Sequence, residues 1–414
     1  MSGKNMVIVQ SGGPSSVINA SLAGAIARAM ASNGIEKIYG AINGLQGLLE
    51  RHFIDITDQI VSTNDLDLLA HTPAHALGSS RYKLPKGTDA ILKDILVILE
   101  EHHAGYLFFI GGNDSMDSVS RLSSFFKEQG KDIKAVGIPK TVDNDLAVTD
   151  HSPGFGSAAK YVAISTAEAY LDTLAYPVPA VTIIEIMGRN AGWLTAASAL
   201  TRRDGIKAPH LIYLPELVFY PQVFIEDVTA LLEQEKQIVI AASEGIRLED
   251  GTYLAETGAE ADMFGHKTLG GVAIVLEAFI KNNIKLDKLK TRAIQLNSLQ
   301  RSAAHIASAV DFEEAYQCGY RAVEAALNGA TDVMITIQRA CDEPYLTYYA
   351  ESALSGIANV EKKIPPEWIT AGGKNVSEEL IRYLKPLVYG EATEKMVDGL
   401  PKFFRFDWTK TARP

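Results

Sequence analysis

Between Ile138 and Leu146 the chain reads Ile-Pro-Lys-Thr-Val-Asp-Asn-Asp-Leu. Two carboxylates, Asp143 and Asp145, stand two residues apart, with an ammonium (Lys140) and a hydroxyl (Thr141) just upstream. In extended backbone alternate side chains point the same way, so Thr141, Asp143 and Asp145 would share one face and Lys140 would take the other. The stretch follows an apolar segment, residues 133–138, that reads as a buried strand. A base, an acceptor and a cation at the carboxyl end of a strand are what proton abstraction beside a phosphate requires. The same residues suit a polar turn whose Asx side chains bond their own backbone. The rest of the chain has to decide between the two.

Three glycine turns precede this stretch: Gly12-Gly13, Gly78 and Gly111-Gly112. Glycine lets the backbone approach an anion closely, and a following helix N-terminus adds partial positive charge. Gly12, Gly13 and Gly112 are therefore candidates for holding a phosphate donor. Arg81 and Lys83, in the loop after Gly78, are candidates for neutralising it. Neither Gly-x-Gly-x-x-Gly nor a P-loop is present. Asp114 poses a charge problem, because a carboxylate beside a phosphate turn repels its ligand unless a cation intervenes. Mg²⁺ between the two would resolve it, with Asn113 as a neutral oxygen donor; alternatively, Asp114 is a helix N-cap. Further on, Met187-Gly188-Arg189 and Glu244-Gly245 end strands, and Arg292 and Arg301 bracket residues 297–300. Arginine holds a terminal phosphate bidentately, and Glu244 can accept bonds from sugar hydroxyls. No cysteine or histidine cluster suggests zinc, and no nucleophile elbow is present.

The elements that would position these groups alternate. Strands are expected at 6–9, 35–42, 106–110, 133–138, 181–186, 211–214, 238–242, 290–296 and 333–337, with helices between most of them. Ser15 or Ser16 would cap the first helix. Residues 57–87 read as irregular. This rhythm predicts an α/β fold with mostly parallel, Rossmann-like sheets and ligands at the carboxyl ends of the strands. At 414 residues, two lobes are the expectation. A net charge of −11 argues against nucleic acid or a membrane surface as partner. Two cysteines and no signal or membrane-spanning stretch place the chain in a reducing cytoplasm.

Taken in order, the motifs Gly12-Gly13, Leu77-Gly78-Ser79-Ser80-Arg81, Gly111-Gly112-Asn113-Asp114, Pro139 to Asp145, Met187-Gly188-Arg189, Glu244-Gly245 and Leu299-Gln300-Arg301 resemble those of the phosphofructokinases, most closely the pyrophosphate-dependent members. The resemblance implies a two-lobed fold with the site in the interlobe cleft. It implies Asp143 as the base that deprotonates the 1-hydroxyl of fructose 6-phosphate, with Thr141 and Asp145 holding the sugar. Met187, Gly188, Arg189 and Glu244 would line the sugar site, Arg301 would hold the 6-phosphate, and Arg292 would reach across a subunit interface. ATP-using members commonly carry glycine where this chain has Asp114 and Lys140. A carboxylate at Asp114 obstructs the extra phosphate and nucleoside of ATP, and Lys140 neutralises pyrophosphate. Lys140 and Asp114 are thus expected to work together as the donor switch.

The resemblance has gaps. Asn113 stands where the family more often has a metal-contacting aspartate, which shifts weight to Asp114 or to Mg²⁺ held by pyrophosphate. Ala180 and Ser298 replace an arginine and a histidine of the 6-phosphate pocket, and Gly265-His266-Lys267 is a candidate to complete it. The expected division is residues 1–150 as donor and catalytic lobe, 151–340 as sugar-phosphate lobe with a crossover near 300–340, and 341–414 as a C-terminal extension. A Mg²⁺-dependent homodimer or homotetramer is implied. The alternatives are an ATP-dependent enzyme, a non-catalytic sugar-phosphate sensor, or an acceptor such as sedoheptulose 7-phosphate.

Overall fold

A computed structural model describes residues 4–412 apart from Arg81, Lys86, Thr88, Ala255 and residues 257–270. The strands of its two main sheets are β1 (Lys4–Gln10), β2 (Ile35–Ala41), β3 (Phe53–Asp55), β4 (Ala104–Gly111), β5 (Lys134–Pro139), β6 (Ala180–Ile186), β7 (Leu211–Tyr213), β8 (Gln237–Ser243), β9 (Lys290–Gln295), β10 (Val333–Asp342) and β11 (Tyr345–Ala353). The chain divides into two compact units. The first comprises Met1–Ser157, Arg301–Glu361 and Tyr389–Pro414, the second Ala158–Gln300 and Lys362–Val388. The division after residue 150 thus falls at Ser157, and the return to the first unit begins at Arg301. Residues 341–414 are shared between the units instead of forming one extension.

In the first unit the strand order is β11-β10-β5-β4-β1-β2-β3. Pairings from β10 through β5, β4 and β1 to β2 are parallel, and β3 and β11 close the edges antiparallel. Alternate residues of β1 feed two separate cores, Val7 and Val9 one, Met6 and Ile8 the other. A sheet buried on both faces needs such apolar strands. Because β2 lies on one side of β1 and β4 on the other, the chain reverses direction there, and the carboxyl ends of β1 and β4 flank a crevice. The turn after β1 bonds across it, with Ser11 N–H donating to Ile110 O at 2.9 Å.

The helix after that turn, Ile18–Met30, packs on the helix Ala309–Leu327 at close range. A Cβ on Gly24 would lie 2.0 Å from Tyr316 O, and one on Gly319 would lie 1.9 Å from Ser21 O. Only glycine permits this crossing. Ser15 and Ser16 are buried and do not cap this helix, which starts after Val17 without a side-chain cap bond. Their backbone is engaged elsewhere: Ser15 O accepts from Ala74 N at 3.0 Å. The stretch expected to be irregular contains a helix, Thr63–Ala70, capped by Ser62 Oγ on Asp65 N at 3.1 Å. The alternation expected to close at Ile337 continues, since β10 runs to Asp342 and turns back as β11.

In the second unit the order is β7-β8-β6-β9, all parallel. Val181, Ile183, Ile238 and Ile240 pack with Phe224 and Val228 of the helix Pro221–Leu232 and with Val272, Leu276 and Ile280 of the helix Val272–Asn283. Glu185, buried in β6, accepts from Gly271 N (3.1 Å) and Ala273 N (3.0 Å). That carboxylate caps a helix and is structural. Among the described residues, no helix is long and apolar enough to cross a membrane.

Candidate active site

Gly12 sits in the left-handed region (φ 78°), and a Cβ there would stand 3.2 Å from Lys140 Nζ; one on Gly13 would stand 3.4 Å from Arg301 Nη1. Lys140 is 3% exposed, and its ammonium donates to Gly13 O at 2.6 Å. The turn after β1 is therefore lined by two cations, one from the end of β5 and one from the helical turn Leu299–Ser302. Burial pushes the Lys140 ammonium down to about 8, Asp143 and Asp145 pull it upward, and Arg301 opposes them. Lys140 thus points into the phosphate turn while feeling both carboxylates. This differs from the opposite-face expectation, and the reason is local. The segment leaves the strand conformation after Pro139, and Asn144 adopts a left-handed φ of 55°, so period-two alternation no longer applies.

The loop carrying Asp143 and Asp145 is held at both ends. At its start Lys140 N–H donates to Gly111 O (3.0 Å), and Thr141 N–H donates to Pro153 O (3.2 Å). Within it, Thr141 Oγ1 accepts from Asp143 N at 3.1 Å, and Asn144 Oδ1 accepts from Ser152 N at 3.1 Å. Asn144 is buried and bonds the backbone of its own loop, while Asp143 and Asp145 keep partial exposure. At its end, the buried Asp311 carboxylate accepts from Gly154 N (2.8 Å) and Ser157 N (2.9 Å). His151, 1% exposed, bridges Asp150 (2.8 Å) and Glu314 (2.6 Å), and Arg339 closes on Asp150 at 2.9 Å. Burial alone would lower the imidazole, but Glu314 and Asp150 outweigh it and raise it to about 9.

Asp114 lies in the first turn of the helix Asn113–Glu128, whose N-cap is Gly112 rather than Asp114. Its carboxylate pairs with Lys83 at 2.9 Å, both side chains exposed. The repulsion expected between Asp114 and a phosphate is thus offset by an ammonium of this chain. Lys140 and Asp114 follow adjacent strand ends and take different partners, Lys140 buried on Gly13 O and Asp114 exposed beside Lys83. With its amide nitrogen facing Ile357 O (3.1 Å) and Val360 O (3.2 Å), Asn113 ties the turn to residues 357–360. Among the described residues no group of three or more His, Cys, Asp or Glu side chains could hold a metal ion. A single carboxylate at Asp114 still fits Mg²⁺, which is commonly bound by one or two carboxylates together with substrate phosphates. Gly112 places its backbone against this region, where an added Cβ would lie 3.6 Å from Lys140 O. Arg81 and Gly265-His266-Lys267 lie outside the described residues.

In the second unit, the ends of β6 and β8 meet. Ser243 Oγ donates to Gly188 O at 2.5 Å, and Met187 N–H donates to Gln300 Oε1 at 3.0 Å. Glu244 N–H donates to Ile186 O (2.9 Å), and its carboxylate lies 3.5 Å from Gly188 N. Gly188 has φ 136°, and a Cβ on Gly245 would collide with Arg189 O at 2.0 Å. The structure thus brings Met187, Gly188, Arg189 and Glu244 together. Arg292 is not among them: it stands on β9 in register with Thr182, exposed and ion-paired with Asp172.

Sequence reasoning did not single out His75, Gln10 or Asn19, and it gave Ser79 no role beyond its place in the motif after Leu77. His75 is held on the Ser11 backbone; burial, then the charges of Lys140 and Arg301, drive its imidazole down to about 3, so it is neutral. Ser79 Oγ donates to Gly12 O at 2.8 Å, and Gln10 Oε1 accepts from Leu77 N at 3.0 Å. Their only signal was proximity to Gly12 and Gly78 along the chain.

Residues 5–336 match the phosphofructokinase family. A pyrophosphate–fructose 6-phosphate 1-phosphotransferase of Methylococcus capsulatus is 40% identical over 409 residues, 97% of this chain and 96% of the relative. The crystal structure of a pyrophosphate-dependent phosphofructokinase from Marinobacter aquaeolei superimposes with a TM-score of 0.87 at 38% identity, covering 97% and 96% of the two chains. A sulfofructose kinase of Alkalicoccus urumqiensis is 32% identical over 400 residues, 96% of each chain. A mostly parallel two-sheet α/β chain with turns after β1, β4 and β5 brought to one place, matched over most of its length, belongs to the phosphofructokinase family.

Proposed function

We propose that this chain transfers a phosphoryl group reversibly from pyrophosphate to the 1-hydroxyl of fructose 6-phosphate, giving fructose 1,6-bisphosphate and phosphate. The observation that carries the reading is the buried Lys140 ammonium seated on Gly13 O, close to Gly12 and with Arg301 against Gly13, so that two cations meet one glycine turn. Asp143 takes the proton of the 1-hydroxyl; that oxygen attacks the near phosphorus, the bridging P–O bond breaks, and the far phosphate leaves. Gly12, Gly13 and Gly112 hold the donor through backbone, and Arg81 and Lys83 add charge. Thr141 and Asp145 orient the sugar, together with Met187, Gly188, Arg189 and Glu244, and Arg301 and Arg292 take the 6-phosphate. Positioned cations supply most of the catalysis, because the transition state spreads charge over the transferred oxygens. Asp114, with Asn113 beside it, would help hold Mg²⁺, which would supply further positive charge to the transferred oxygens. The active assembly is a homodimer or homotetramer in the cytoplasm.

Purified protein with fructose 6-phosphate and either Mg-pyrophosphate or Mg-ATP tests the donor. Turnover with pyrophosphate and little with ATP is expected; the reverse overturns the assignment. A second reading keeps the chemistry and changes the acceptor. Ala180 and Ser298, where many members have cationic groups, and the full-length likeness to a sulfofructose kinase favour it. Specificity constants for fructose 6-phosphate, sedoheptulose 7-phosphate and sulfofructose decide; the highest for fructose 6-phosphate is expected.

A further inference from the structure

Residues 72–80 form a layer against the phosphate turn. Toward the turn, Ala74 N–H donates to Ser15 O (3.0 Å), Ala76 N–H to Asn19 Oδ1 (3.1 Å), Leu77 N–H to Gln10 Oε1 (3.0 Å) and Ser79 Oγ to Gly12 O (2.8 Å). The other side of this layer is covered by the last residues of the chain. Phe404 N–H donates to Thr72 Oγ1 at 2.8 Å, and Trp408 Nε1–H donates to Ala76 O at 3.2 Å. Gly78 has φ 71°, and a Cβ there would touch Trp408 Cη2 at 3.3 Å, so the indole edge lies on its backbone. The covering segment is itself anchored. Phe406 is buried in the core that also contains Leu77 and Leu69. Gln59 exchanges bonds with the backbone of Asp407 at 2.8 and 3.3 Å, and Ala412 N–H donates to Phe53 O at 2.7 Å.

We propose that the segment Phe404–Trp408 is a strap that sets the geometry of the donor turn, with Trp408 as a positioning residue for pyrophosphate. The strap holds Gly78 and Ala76, these hold Ser79 and Leu77 against Gly12 and Gln10, and that backbone forms the floor on which Lys140 meets the donor. Trp408 touches no reacting group. Its effect is therefore on donor affinity and not on the chemical step. The proposal rests on the reading of the Gly12 turn as the donor site.

The test compares Trp408→Phe and Trp408→Ala with the wild-type full-length enzyme. Trp408→Phe keeps a ring on Gly78 and loses the Ala76 bond; Trp408→Ala loses both. A hydrogen bond and its packing correspond to a change of roughly tenfold. Trp408→Ala is expected to raise KM for pyrophosphate by about that factor, with kcat and KM for the sugar phosphate within about twofold of wild type. Trp408→Phe should recover much of the loss. Binding of pyrophosphate alone should change the tryptophan fluorescence of wild type and not of Trp408→Phe. An unchanged donor KM in Trp408→Ala, or equal increases in both KM values, overturns the strap. If ATP proves to be the donor and its KM responds to Trp408→Ala, the strap stands and the pyrophosphate reading fails. Should Trp408→Ala not fold, the fluorescence comparison and the donor KM of Trp408→Phe decide, and wild-type values in both overturn the proposal.

Discussion

Asp143 and Lys140 stand in different surroundings although only two residues separate them. Asp143 stands in the loop with partial exposure, bracketed by the bonds of Thr141 and Asn144. If it is the base, Asp143→Asn should lower kcat by about 10²- to 10⁴-fold, as measured by initial rates under saturating substrates. Turnover within a few-fold of wild type would remove it from that role and favour a non-catalytic sensor. Lys140 is buried, with its ammonium lowered to about 8. Below that pH it is charged and, in the proposed role, would attract the donor; as pH rises through about 8 the free enzyme loses the charge. The value of kcat/KM for pyrophosphate should therefore fall on the alkaline side, since this ratio reports the free enzyme. Arginine remains charged across that range, so Lys140→Arg should lose the alkaline limb even if its activity is lower. An unchanged limb would assign it to another group.

The loop 141–154 is an element without regular structure, and buried charge holds it. His151 lies between Asp150 and Glu314, with Arg339 on Asp150 and Tyr345 Oη donating to Glu314 at 2.8 Å. The imidazole is raised from 6.5 to about 9, so the bound proton stabilises the fold. That contribution is complete below about pH 6.5, declines above it and is lost as pH rises through about 9. His151→Gln leaves two buried carboxylates with one partner fewer and should cost about 3–5 kcal/mol. Thermal denaturation across pH should show a large gap between the two proteins near pH 6 and a small one near pH 10. A gap independent of pH would mean that shape, not charge, holds the loop. None of this was legible in the sequence, where His151 was one of several scattered histidines. Glu314 stands 163 residues away, and no local pattern announces a partner at that distance.

For the whole molecule, the open question is assembly. Arg292 is expected from the family likeness to act across a subunit contact, and in the single chain it is exposed on the edge strand β9, paired with Asp172. Arg292→Ala should raise KM for fructose 6-phosphate by roughly tenfold or more, the scale of losing a charge-assisted phosphate contact. Sedimentation should give wild type and variant the same mass, and KM for pyrophosphate should not move. A normal acceptor KM would leave Arg292 as the partner of Asp172 alone.

The sequence by itself determined the alternation of strands and helices, because apolar runs and glycine breaks are local signals. It also determined the order of the glycine turns, because each turn follows its own strand. Only the tertiary structure decided where the charges go. Lys140 meets Gly13 across 127 residues, Lys83 pairs with Asp114, and Trp408 reaches Ala76 across 332 residues. The division of the last residues between the two units belongs to the same class. Contacts at these separations depend on how sheets and loops pack, and periodicity along the chain carries no information about them.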